Sequence, residues 1–252
     1  MEVLGIDIGG TGIKAALVDT ERGEFASERH RVPTPESLLP EDVLQAVTDS
    51  VRSFDAYKGP VGVGFPAIIV NGAPRSAFTA HHVPGWIDFP VARLLSERLN
   101  QPVTMLNDAD AAGMAEMRFG NGRGENGVVL ILTFGTGIGS ALFVDGRLVP
   151  NTELGNLYLR NHKQVSERYT SALVREEKGL KWKTFAGRLD KYLRHVNRLF
   201  SPRLIIIGGG ISKDHEKFIP RLTTETRIIP AALRNRAGII GAATAAMEGW
   251  PH

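Results

Sequence analysis

The first feature of this sequence that could do chemistry is an acid directly after an asparagine, at the end of an apolar run. In Leu106-Asn107-Asp108-Ala109-Asp110-Ala111-Ala112-Gly113 a strand-like stretch over 102–106 passes straight into a helical tail. A carboxylate at a helix N-terminus is kept ionised by the dipole and by the unbonded amides there. Phosphoryl transfer asks little covalent work of a protein, but it needs an acceptor hydroxyl that is positioned and relieved of its proton. Asp108 is the candidate base for that step. The competing role is a plain N-cap, which Asn107, Asp108 or Asp110 could each supply. Given two phosphate-sized turns elsewhere in the chain, base is assigned to Asp108 and capping to Asp110.

The first of those turns lies in Leu4-Gly5-Ile6-Asp7-Ile8-Gly9-Gly10-Thr11-Gly12-Ile13-Lys14. Two apolar strands joined by Gly9, Gly10, Thr11 and Gly12 let backbone N–H groups come close to an anion, because no side chain holds it away. The same residues would serve a tight hairpin whose glycines take only the positive-φ positions. Asp7, at the mouth of the turn, could hold a divalent cation against phosphate oxygens, directly or through water. Lys14 reads as a strand-surface lysine, with a phosphate contact as the alternative. The second turn, Thr133-Phe134-Gly135-Thr136-Gly137-Ile138-Gly139, repeats the arrangement. Here the amides of Gly135 and Gly137 are joined by the hydroxyls of Thr133 and Thr136.

Two further groups are ambiguous on their own. In Glu153-Leu154-Gly155-Asn156 a carboxylate and a carboxamide bracket a glycine, which suits the donor and acceptor hydroxyls of a sugar. A loop acid followed by a turn Asn would look the same. In Gly208-Gly209-Gly210-Ile211-Ser212, Gly209 and Gly210 could carry an adenine, a ribose or a phosphate chain. A tight crossover from strand to helix with Ser212 as N-cap is the alternative. The seven histidines show no metal spacing, and the adjacent His81 and His82 point apart on an extended chain, so no metal site is assigned to them. Neither a Walker A lysine motif nor a protein-kinase signature is present.

The elements that must position these residues follow from periodicity. Strands are expected at 2–8, 13–19, 24–32 and 61–65, with a helix at 41–54 whose apolar face is Val43, Leu44, Val47, Val51 and Phe54. A β-rich loop region to about 80, a helix at 90–99 and the strand at 102–106 lead to Asn107. The pattern then restarts. A strand at 127–133, a glycine turn over 134–140 and a strand at 141–149 with its own Asp145-Gly146 turn come first. Basic helices at 166–178 and 181–200, strands at 203–207 and 226–229, and an Ala-rich helix at 237–248 follow. A β-β-β-α-β-α unit is therefore expected twice. It would make an α/β protein of two lobes with a central cleft, the smaller lobe from 1–107 plus 236–252 and the larger from 108–235.

Composition bounds the rest. The 252 residues are ample for a core, and the hydrophobic and charged shares of 42% and 23% are those of an ordinary globular protein. No apolar run reaches membrane-spanning length, and the first strand begins at once, so neither a membrane span nor a signal peptide is expected. Cysteine is absent, which removes disulfides and thiolate zinc sites and agrees with a cytoplasmic protein. Residues 1–146 carry 11 Lys/Arg against 18 Asp/Glu, whereas 147–252 carry 19 against 9. That asymmetry favours an anionic partner for the second half. No basic stretch is interleaved with aromatics, so nucleic acid is not expected as a partner.

Taken together, the motifs around Asp7, Asn107-Asp108, 132–139 and Glu153-Leu154-Gly155 resemble the ROK sugar kinases. Val149-Pro150-Asn151-Thr152, Arg198-Leu199-Phe200-Ser201-Pro202 and Leu233-Arg234-Asn235 narrow the resemblance to polyphosphate glucokinases. It runs over nearly the whole chain. It implies an actin-like (ribonuclease H-like) fold and transfer of phosphoryl from polyphosphate, ATP or both to the 6-hydroxyl of glucose. Mg²⁺ would be the cofactor, no zinc would be bound, and a homodimer would be the usual assembly. Asp108 would be the base, Asn107 and Glu153 would hold sugar hydroxyls, and the turns at 9–12 and 135–137 would hold phosphates. The pattern of the family is Glu-x-Gly-His; here Asn156 takes the histidine position. That departure leads us to expect weaker glucose binding or broadened hexose use, as in a glucomannokinase, with His162 as a poor substitute. A catalytically weak sugar-binding regulator is a further alternative. The segment 79–87 also strays in detail but keeps Trp86, which is expected near the cleft.

Overall fold

The structure, a computed structural model, describes residues 1–76 and 83–250. His81, His82 and the start of the 79–87 segment lie outside the described residues. The chain divides into two compact units, Met1–Ala115 with Arg236–His252, and Glu116–Asn235.

The first unit opens with β1 (Glu2–Gly9) and β2 (Gly12–Asp19), an antiparallel hairpin in which Asp7 pairs with Lys14 and Gly9 with Gly12. β3 (Glu24–Phe25) and β4 (His30–Val32) pair with different stretches of β2. The single strand expected over 24–32 is thus two short ones. The chain breaks where Ser27 turns its Oγ to accept from Leu17 N at 3.0 Å. Helix α1 (Pro40–Arg52) buries Val43, Leu44, Val47 and Val51 and stops before Phe54. β5 (Val61–Phe65), the small hairpin of β6 (Ile69–Val70) and β7 (Ala73–Pro74), α2 (Val91–Leu99) and β8 (Val103–Asn107) follow. Helix α3 (Asp108–Phe119) starts without a loop after β8. The sheet runs β3-β2-β1-β5-β8, with β1, β5 and β8 mutually parallel.

Parallel strands buried on both faces read as continuous apolar runs, and Val3, Leu4, Ile6 and Ile8 of β1 are all buried. α7 (Ala237–Glu248), from the far end of the sequence, lies against β1 and β5. Glycine makes that contact possible: a Cβ on Gly5 would collide with the Ile239 carbonyl oxygen, and one on Gly62 with that of Ala242. Trp86 is core in this unit, fully buried with its ring 4.9 Å from that of Phe65 and its Nε1 donating to Leu38 O at 2.8 Å.

The second unit repeats the order. β9 (Val128–Phe134), β10 (Ile138–Val144) and β11 (Arg147–Val149) form an antiparallel meander. The turn between β9 and β10 is tighter than expected, because the ladder extends to the Phe134–Ile138 pair and leaves only 135–137 outside it. The helix expected over 166–178 is two, α4 (Glu167–Thr170) and α5 (Ala172–Glu177). Ser171 separates them: it is extended and caps α5, its Oγ accepting from Val174 N at 3.3 Å. Helix α6 (Trp182–Phe200) buries Phe185, Leu189, Tyr192, Leu193 and Val196 at helical spacing. β12 (Leu204–Gly208) and β13 (Arg227–Pro230) complete a sheet of order β11-β10-β9-β12-β13, the counterpart of the first. Ser212 is not an N-cap. It lies inside the 3₁₀ segment Gly210–Lys217 and donates back to Gly209 O at 2.9 Å.

Candidate active site

In open α/β sheets, ligands gather at the carboxyl ends of parallel strands, and in both units the candidate residues stand there. In the first unit the three parallel strands end at Asp7 to Gly9, at Gly64-Phe65 and at Asn107. Gly64 is the register partner of Asp7, and a Cβ on it would reach within 3.8 Å of the Asp108 Cα. Asp7 and Asp108 therefore flank the same glycine.

Asn107 caps α3. Its Oδ1 accepts from Ala109 N at 2.9 Å and Asp110 N at 3.1 Å, while its Nδ2 donates to Ala67 O at 3.1 Å. This corrects the capping assigned to Asp110, which sits inside the first turn and is buried. One Nδ2 hydrogen of Asn107 is left for a ligand. Asp108 opens the helix half-buried, with its Oδ1 accepting from Ala109 N at 2.8 Å.

Asp7 is a partly buried acid whose Oδ2 accepts from Lys14 Nζ at 2.8 Å, so Lys14 is an ion-pair partner and not a bare surface lysine. A Cβ on Gly238 would lie 3.3 Å from Asp7 Oδ1, so the glycine leaves room beside that oxygen. The turn beyond exposes Gly10 and Thr11. It is secured from behind by Thr34 Oγ1, which donates to Gly9 O at 2.6 Å. Arg31 lies over the same turn: a Cβ on Gly12 would come within 2.9 Å of its Nε. Sequence reasoning missed this arginine, whose place follows from its register pairing with Lys14.

In the second unit the turn at 135–137 is closed by Gly135 N donating to Gly137 O at 3.1 Å, and it exposes Gly135 and Thr136. Gly209 has φ 76° and packs against it: a Cβ there would stand 2.6 Å from Phe134 N. Thr133 abuts Gly208 in the same way at 3.3 Å. The glycine groups at 133–137 and 208–210 thus pack together, with Gly135, Thr136, Gly209 and Gly210 exposed.

Glu153 is set by β10. Ser140 Oγ donates to Thr152 O at 2.6 Å and accepts from Leu154 N at 3.0 Å, fixing the residues on both sides of Glu153. Gly155 lets the following 3₁₀ turn, Leu154–Asn156, settle on the Ile138 carbonyl. Asn156 ends that turn exposed. Burial pushes the Glu153 carboxyl above its ordinary range, and the charge of Glu167 pushes it further. Glu167 is a second residue that sequence reasoning missed, although it is the only acid between Glu153 and Glu176. Its Oε2 accepts from Ile138 N at 3.4 Å and fills the space a Gly137 side chain would take. His162, the poor substitute expected for the family histidine, is engaged with other side chains. Its Nε2 lies 2.8 Å from Lys191 Nζ and its ring packs edge-on to Tyr169.

A relative from Mycobacterium tuberculosis, a polyphosphate glucokinase, is 40% identical over 249 residues, 98% of this chain and 92% of that protein. The crystal structure of an inorganic polyphosphate/ATP-glucomannokinase from Arthrobacter sp. strain KM superposes with a TM-score of 0.92 at 47% identity, covering 98% of this chain and 99% of that one. A ROK family glucokinase from Streptomyces griseus, solved with glucose and AMPPNP, shares the fold at a TM-score of 0.81 and 24% identity, over 99% of this chain and all of that one. The duplicated sheet order is that of the actin-like α/β fold. The sequence pattern of the ROK family matches residues 3–166. This chain belongs to the ROK family.

Proposed function

We propose that this protein is a kinase that transfers a phosphoryl group from inorganic polyphosphate or ATP to the 6-hydroxyl of glucose. The carrying observation is the junction of β8 and α3, where Asn107 caps the helix and Asp108 stands half-buried at its first position, at the carboxyl end of the parallel strands. Asp108 accepts the proton of the 6-hydroxyl as that oxygen attacks the terminal phosphorus, and the bond to the bridging oxygen of the donor breaks. Asn107, Glu153 and Asn156 hold sugar hydroxyls. Amides and hydroxyls at 9–12, 133–137 and 209–210 stabilise charge on the phosphates.

Mg²⁺ fits the donor set at Asp7. Among the described residues no three His, Cys, Asp or Glu side chains form a metal cluster. A single acid at the mouth of the glycine turn suits an ion that keeps its waters and is held mostly by substrate phosphates. When bound, it would neutralise charge on the donor phosphates. Assembly as a homodimer and residence in the cytoplasm belong to the same reading, and sedimentation analysis tests the first. No helix among the described residues is long and apolar enough to cross a membrane.

A coupled glucose 6-phosphate assay with ATP and long-chain polyphosphate in parallel tests the proposal. Asp108→Asn should lose a factor of about 10²–10⁴ in kcat while still binding glucose. Near-normal turnover by that variant removes Asp108 as the base, and a wild type silent with both donors removes the kinase reading. Broader hexose use is the second reading, supported by Asn156 and by the name of the Arthrobacter relative. Asn156→His should then shift the glucose-to-mannose ratio of kcat/KM.

A further inference from the structure

The basic balance of the second half has one place where it is built rather than scattered. Arg175 of α5 lays its guanidinium over Trp182 at 3.7 Å from the ring centroid, and its Nε is buried with no hydrogen-bond partner among the described residues. Lys217 Nζ stands 5.3 Å from the same ring. Phe218 stacks on Trp182 at 5.9 Å between centroids and anchors it to the core. Asp214 sits among the cations and is held below its ordinary carboxyl range, first by its hydrogen bond from Lys217 and then by the charges of Lys217, Lys213 and Arg175. It neutralises Lys217 through that bond at 2.6 Å. Among the described residues Arg175 and Lys213 have no carboxylate at ion-pairing distance.

This cluster adjoins the glycine patch on two sides. Leu173, two residues before Arg175, donates its N–H to Gly135 O at 3.1 Å. The 3₁₀ segment that carries Lys213 and Lys217 begins at Gly210. The indole is not offered to a nucleotide base, since a guanidinium already covers it. Its work is to hold Arg175 in place. A fixed guanidinium at Arg175, with Lys213 exposed and Lys217 shared with Asp214, beside a proposed phosphate-binding turn suits a ligand whose negative charge continues past the reacting end.

We propose that Arg175, Lys213 and Lys217 form a distal subsite for the phosphate chain of inorganic polyphosphate. It rests on the reading of 135–137 and 209–210 as donor-binding turns. The subsite gives long-chain polyphosphate contacts that ATP, which ends in a nucleoside, does not use in full.

The test is steady-state kinetics with glucose and three donors: long-chain polyphosphate, tripolyphosphate and ATP. Arg175→Gln and Lys213→Gln should each raise KM for the long chain about tenfold, the loss of one charge-assisted contact. KM for ATP should stay within about twofold, and kcat should hold with every donor. The rise in KM of the long chain with salt should become shallower. If Arg175→Gln disturbs folding by unpacking Trp182, Lys213→Gln carries the test from the exposed surface. Equal rises for ATP and long-chain polyphosphate, or no rise for either, overturn the subsite. A wild type inactive with all three donors overturns the kinase reading instead.

Discussion

Lys14 Nζ donates to Asp7 Oδ2 at 2.8 Å, straight across the β1–β2 ladder in which the two residues are register partners. The pair orients the acid through Oδ2 and leaves Oδ1 beside Gly238, where a Cβ would stand 3.3 Å away. Asp7→Asn should cut kcat by about 10²-fold or more with either donor, the scale of removing one electrostatic group at a transition state. It should also raise the magnesium concentration that gives half-maximal rate. A magnesium titration of the initial rate decides the matter, since an unchanged midpoint would separate Asp7 from the metal.

Asn107 supplies a cap and an anchor at once. Asn107→Ala should destabilise by about 1–2 kcal/mol in urea unfolding, from the lost cap and the unpaired Ala67 carbonyl. Asn107→Asp keeps the acceptor for Ala109 and Asp110 but has no donor for Ala67. It should recover the capping part of the stability but not the Ala67 part, and little of the activity. Equal recovery of both would place the role of Asn107 wholly in the helix.

Glu153 links pH to sugar binding. Its carboxyl is raised by burial and by Glu167, so the native state holds the proton to higher pH than the unfolded chain does. The stability from that proton is present below the ordinary glutamate value and is lost as pH rises through the folded value. Glucose affinity runs the other way, because the ionised carboxylate is the better acceptor. KM for glucose should climb as pH falls through the raised value. Glu153→Gln should show a KM about tenfold higher at neutral pH, little pH dependence in that window, and greater stability above it. A variant with the wild-type pH profile would exclude Glu153 as the titrating group.

Tyr192 stands on the buried face of α6 against Phe134, its ring 6.2 Å away and edge-on. Its hydroxyl is buried without a hydrogen-bond partner among the described residues, and burial pushes its pKa far upward. Removing an unsatisfied polar group from a core is neutral or favourable. Tyr192→Phe should therefore stabilise by about 1 kcal/mol in the same unfolding assay. A loss of more than about 1 kcal/mol would reveal a partner for the hydroxyl.

The sheets were legible because β1 and β12 are covered on both faces and must be apolar throughout. The glycine turns were legible because only small residues tolerate such close backbone. Their register was less so: where β9 ends depends on its partner, and Phe134 proved to be the last rung. At Asn107 three short polar residues compete for one cap. The choice is made by the Ala67 carbonyl, 40 residues away, which needs a donor that aspartate lacks. Glu167 was invisible for a similar reason, since its contact with Ile138 spans 29 residues. A continuous helical pattern over 166–178 likewise hid the break at Ser171, which shows only in backbone angles.

The fit of α7 against Gly5 and Gly62 has a consequence for how the protein is made. Those glycines sit in the first sheet to be synthesised, whereas α7 is the last described element to leave the ribosome. The α7 side of the first unit's sheet must wait, covered only in part by α3, while Glu116–Asn235 is translated. At about 5–20 residues per second that wait lasts some tens of seconds at most. The segment Glu116–Asn235 carries both edges of its own sheet and is complete sooner. The order of completion is thus the reverse of the order of synthesis, and the nascent chain carries its apolar strands longest where its first glycines lie.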